Sequence, residues 1–134
     1  MNSPETFTIR AGDGAELVLG PPDPDAFIAR LRAPGLNAEV AVFHFGGDFL
    51  GKYFADLATN WRGWDGDRDW RSLEGALEFH ASISKAGAVL IQVVLRNSTD
   101  FTWRLTYDFG IENGDLDMLA RDAAAFGQLL GAAT

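Results

Sequence analysis

The chain has 134 residues and 14.6 kDa, the length of one domain, and with 47% apolar and 22% charged residues it has the composition of a folded protein rather than a disordered one. It has no cysteine, which removes disulfides, thiolate metal ligation and cysteine nucleophiles. The net charge of −8 is uneven: residues 1–25 carry five acids against Arg10, residues 98–134 carry six against Arg104 and Arg121, and residues 26–97 balance eight acids with eight bases. No basic enrichment supports phosphate neutralisation, so no nucleic-acid partner is expected, whereas acidic ends suit a basic protein. No apolar run reaches the ~18 residues of a membrane span, and the opening MNSPETFTIR lacks a signal-peptide profile, so no membrane contact and a cytoplasmic location are expected.

Short alternating stretches at 7–10 and 16–19 flank Ala11-Gly12-Asp13-Gly14 and predict a hairpin. The prolines of Gly20-Pro21-Pro22-Asp23-Pro24 remove backbone donors and predict a loop. From Ala26, Phe27, Ala29 and Leu31 alternate with Ile28, Arg30 and Arg32, a half-buried strand that turns at Pro34-Gly35. The next strand, 39–45, is apolar on both faces (Ala41, Phe43 and Phe45; Val40 and Val42), which predicts a central position in the sheet. Asp48 is a good N-cap, and Phe49, Leu50, Tyr53, Phe54 and Leu57 recur at helical spacing over 49–59.

After an aromatic loop the period returns to two, with inward sets Leu77/Phe79/Ala81/Ile83, Val89/Ile91/Val93/Leu95 and Phe101/Trp103/Leu105/Tyr107/Phe109. Three strands joined by short polar turns predict an antiparallel meander with one buried face. Asn113-Gly114 turns the chain, and Asp115 caps a last helix whose apolar stripe is Leu116, Leu119, Ala120, Ala123 and Leu130. The expected fold is a single α+β domain, 1–134, with one curved, mostly antiparallel sheet of about six to seven strands and two helices packed on it.

Three of the four tryptophans lie in Trp61-Arg62-Gly63-Trp64-Asp65-Gly66-Asp67-Arg68-Asp69-Trp70. Exposed Trp and Arg are typical interface anchors, and Trp61, Arg62, Trp64, Asp65, Asp67, Arg68, Asp69 and Trp70 are the candidate partner-binding residues. The same loop also reads as a rigid connection whose arginines pair with its own aspartates. Asp65-x-Asp67-x-Asp69 resembles a calcium loop, but Trp70 and Ala76 stand where Gly and Glu would be required, so no metal site is expected. His44 and His80 belong to no zinc-hydrolase pattern, and no phosphate loop or serine elbow occurs. If the meander pairs in simple order, Glu78, His80, Gln92, Arg104, Thr106 and Asp108 share one sheet face, an alternative ligand face with acid–base groups.

On its W-x-G-W-x-G-x-x-x-W segment the chain resembles a family of small uncharacterised actinobacterial proteins, across roughly residues 26–119. Phe49, Phe54, Leu57, Trp61, Gly63, Trp64, Gly66, Trp70 and Trp103 carry the likeness. That family is in turn distantly similar to immunity proteins of bacterial toxin systems, small acidic α+β antidotes. The resemblance implies a binding role and transfers no catalytic residue or cofactor. The expected function is therefore a non-enzymatic protein-binding module, an immunity-type inhibitor of a basic toxin. A small enzyme or ligand-binding domain built on the His80, Arg104 and Asp108 face is the alternative. The oligomeric state is left open.

Overall fold

The computed structural model describes residues 5–44, 49–97 and 100–133. Among them run eight strands and two α-helices: β1 (Phe7–Arg10), β2 (Glu16–Leu19), β3 (Ala26–Ala33), β4 (Leu36–Phe43), α1 (Phe49–Thr59), β5 (Arg68–Arg71), β6 (Leu77–Ile83), β7 (Ala88–Arg96), β8 (Arg104–Glu112) and α2 (Leu116–Ala133). The fold is α+β, but the expected single sheet is two antiparallel four-stranded sheets, β1-β2-β3-β4 and β5-β6-β7-β8. Alternation in a sequence tells which side chains share a face; it does not tell which strands hydrogen-bond. Here α1 intervenes between β4 and β5, and its aromatic residues pack against both inner faces.

Phe54 is fully buried, with ring centroids 5.2 Å from Phe7 of the first sheet and 5.6 Å from Phe79 of the second. Phe126 of α2 meets Phe27 edge-on at 5.4 Å and extends the same core over the first sheet. The helices cross closely because Gly51 has no side chain; a Cβ there would stand 3.1 Å from the Ala124 Cα. Gly51→Leu is expected to force α1 and α2 apart and to cost roughly 1–3 kcal/mol, as overpacking does, read as a lowered urea midpoint at unchanged m-value.

Two strands differ from their sequence reading at the edges. β4 is an edge strand, not a central one: Val40 and Val42 face the core, while Phe43 points outward and is exposed. Phe45 and the proposed Asp48 cap lie outside the described residues. β8 begins at Arg104, three residues later than expected, so Phe101 and Trp103 precede the strand and are exposed instead of lining its buried face. Asp100 accounts for that shift, since its carboxylate accepts hydrogen bonds from the Thr102 N–H and hydroxyl at 3.2 and 2.9 Å and folds the segment into a local turn. The last helix is preceded by a 3₁₀ turn, Asn113–Asp115, which is capped by Glu112, with Asp115 completing a capping box.

A contact distant in sequence joins the sheets. The Tyr107 hydroxyl donates to Asp13 Oδ2 at 2.7 Å, and Asp13 Oδ1 also accepts the Ala15 N–H at 2.9 Å. The Ala15 bond first, then that of Tyr107, holds the Asp13 carboxyl below its ordinary range. No helix among the described residues is long and apolar enough to cross a membrane.

Candidate functional site

The aromatic loop is built around its tryptophans. Trp64 packs against the core, and its indole N–H donates to the Ala81 carbonyl of β6 at 3.0 Å. Six residues on, Trp70 lies on Phe79 with ring centroids 5.4 Å apart. Between them the chain becomes β5, pairing Arg68–Arg71 with β6, a strand the sequence reading missed. Its four residues do alternate, Arg68 and Trp70 against Asp69 and Arg71, but four positions are too few to separate strand from loop by period alone. Helix α1 fixes the start of β5: the Tyr53 hydroxyl donates to the Arg68 carbonyl at 2.8 Å, and the Arg68 guanidinium pairs with Asp56. Burial raises the Tyr53 pKa, with the charge of Asp69 adding to it.

With Trp64, Arg68 and Trp70 spent on the fold, Trp61, Arg62, Asp65 and Asp67 face solvent. Trp61 is 47% exposed, the Arg62 guanidinium lies 5.2 Å from its ring centroid, and its carbonyl accepts a hydrogen bond from the Asn113 side chain at 3.1 Å. The result is an aromatic–cation pair on a tethered backbone, with two exposed acids, Asp65 and Asp67, further along the loop.

The outward face of the second sheet holds the other candidate set. Register places Asp69, His80, Gln92 and Asp108 on one rung, and Arg71, Glu78, Val94 and Thr106 on the next. His80 is held at both ring nitrogens, Nδ1 against Asp69 at 2.8 Å and Nε2 against Glu78 at 3.2 Å. Glu78, only 9% exposed, reaches Arg96 with its other oxygen, and Arg96 donates to the Gly75 carbonyl at 3.2 Å. Gly75 has a φ of +77°, a left-handed conformation that favours glycine. Gln92 donates to Asp108 at 3.4 Å, and Arg104 lies exposed opposite Arg96.

The structure thus brings Asp69, from the aromatic loop, together with Glu78 and His80 of the sheet face, and adds Arg96 and Gly75, which the sequence reading did not single out. Arg96 follows from the β6–β7 register, which sets Glu78 opposite Val94, whereas the place of Asp69 beside His80 depended on the unrecognised β5. The Asp69 hydrogen bond is the main force raising the His80 pKa, with the Asp69 charge and Glu78 adding to it against the opposing effect of burial. With a carboxylate at each ring nitrogen, His80 ties Asp69 of β5 to Glu78 of β6 across the outward face. Hollows of about 550 and 780 Å³ lie elsewhere, the first lined by β1 and α2, the second by the β1–β2 turn and the Ser84 end of the second sheet.

These observations define an α+β domain of two antiparallel sheets, with an ion-paired polar face and a tryptophan-anchored loop. A family model described as a family of unknown function, DUF6228, matches residues 20–128, and the chain belongs to that family. The matched stretch starts after β2 and ends within α2, so it contains both candidate surfaces. Neither a curated protein nor a solved structure matches the chain.

Proposed function

We propose that the protein is a non-enzymatic protein-binding module, and more specifically an immunity-type inhibitor that neutralises a basic toxin by covering it. The observation that carries the reading is the exposed Trp61–Arg62 pair beside Asp65 and Asp67, on a loop whose other side chains already hold it in place. A rigid aromatic anchor loses little conformational freedom on binding, and neighbouring carboxylates favour a cationic partner. Saturation of His80 by Asp69 and Glu78 weighs against catalysis on the Glu78, His80, Gln92, Arg104 and Asp108 face. Immobilised protein is expected to retain a basic protein from lysate of its source strain at low salt and to release it at high salt. The triple variant Trp61→Ala, Asp65→Asn, Asp67→Asn is expected to keep its melting temperature, because these side chains are exposed, and to lose that protein. Equal retention by both would remove the loop from the binding surface.

A further inference from the structure

Among the described residues the second sheet ends on β8, with no strand paired beyond it. The Asn97 N–H donates to the Trp103 carbonyl at 3.3 Å and the Asn113 N–H to the Gly87 carbonyl at 3.2 Å, which fixes the odd-numbered residues of β8 as those bonded to β7. Arg104, Thr106, Asp108 and Gly110 therefore turn their backbone N–H and C=O groups away from the sheet. The outward N–H of Glu112 is already taken by the Asp115 carboxylate at 3.3 Å. Pairing runs unbroken from Arg104 to Glu112, and this nine-residue edge has no proline, lysine or bulge, the usual guards of an exposed strand.

We propose that β8 pairs antiparallel with β8 of a second copy of this chain, about a two-fold axis at Thr106. In this register Arg104 stands opposite Asp108 of the other copy, Asp108 opposite its Arg104, and Thr106 opposite Thr106. All three pairs lie on the outward face and present outward-turned backbone groups, two hydrogen bonds to a pair, about six in all. On the inner face the half-buried Leu105 and Tyr107 come opposite one another. Centring the axis on Asp108 instead would oppose two carboxylates and compete with the helix cap for the Glu112 N–H, so charge and capping both select Thr106. That half of the edge also lies away from Gly110 and Ile111, where Arg10, Ala11 and Gly12 line the same hollow. Asn113, next to the last residue of β8, holds the Trp61 carbonyl, so the aromatic loop meets this edge at its Glu112 end, beyond the three pairs from Arg104 to Asp108.

So short a paired stretch is smaller than the ~1,200–2,000 Å² interface of a stable complex, so the dimer is weak and forms with concentration. Sedimentation at low salt from about 10 μM to about 1 mM is expected to show monomer passing to dimer. Thr106→Pro removes an outward N–H without breaking a bond to β7 and is expected to leave a folded monomer throughout. Arg104→Asp, which sets acid against acid, is likewise expected to stay monomeric, and the added exchange Asp108→Arg to restore the dimer. If Thr106→Pro fails to fold, the charge-exchange pair decides alone. A wild-type monomer across the whole range would overturn the proposal. So would a dimer that Arg104→Asp leaves intact, or one that the exchange does not restore.

Discussion

Phe54→Ala is expected to cost about 3–5 kcal/mol, the upper range for removing a large buried side chain. Phe54 touches Phe7 at 5.2 Å, Tyr53 at 5.1 Å and Phe79 at 5.6 Å, so one ring joins both sheets to the helix that carries it. Three aromatic neighbours drawn from three elements cannot close the void together without moving the elements themselves, which leaves most of the cavity open. The loss also reaches β5, because Tyr53 stacks on Phe79 at 6.0 Å while its hydroxyl holds the Arg68 carbonyl. Urea unfolding of the variant, followed by tryptophan fluorescence and by circular dichroism, should show the lowered midpoint with both probes. A loss below about 1.5 kcal/mol would mean the sheets do not depend on this ring for their packing.

The sequence was readable wherever one face of an element was buried over several periods. Leu77, Phe79, Ala81 and Ile83 alternate against polar neighbours for seven residues, and β6 runs from Leu77 to Ile83. The helix 49–59 agrees with α1 for the analogous reason, an apolar stripe at helical spacing. Pairing was less legible, because β4 carries apolar residues on both faces and yet has a neighbour on one side only. Phe101 and Trp103 show a related failure: they continue the alternation of β8, but the Asp100 turn ends the strand before reaching them. At the candidate sites, residue types gave the loop and the polar face separately. That Asp69 belongs to both could not be read, since it depends on a four-residue strand held by Tyr53 and Asp56 from α1.

Glu78→Gln is expected to be the most disruptive change on the outward face. Glu78 serves two cations, Arg96 through one oxygen and His80 through the other, with its side chain only 12% exposed. Removing the charge leaves a guanidinium whose other described bond is to the Gly75 carbonyl, and an imidazole facing Asp69 alone. Breaking a fully buried pair costs about 3–5 kcal/mol; because Arg96 keeps 23% exposure, water recovers part of this and the loss is expected near 2–3 kcal/mol. The pH dependence follows from His80. Its folded pKa is raised above the ordinary imidazole value, so its contribution to stability is complete below about pH 6.5 and fades as pH climbs through the folded value. The wild type should therefore lose this increment on going from mildly acidic to alkaline solution, and Glu78→Gln should lose less. Because the Asp69 bond is the larger cause, Asp69→Asn should lower the His80 pKa further than Glu78→Gln does, measured from the imidazole proton shifts by NMR titration. The reverse order would place the controlling contact at Glu78, and a His80 pKa unmoved by either substitution would mean that the imidazole does not hold its proton against these carboxylates.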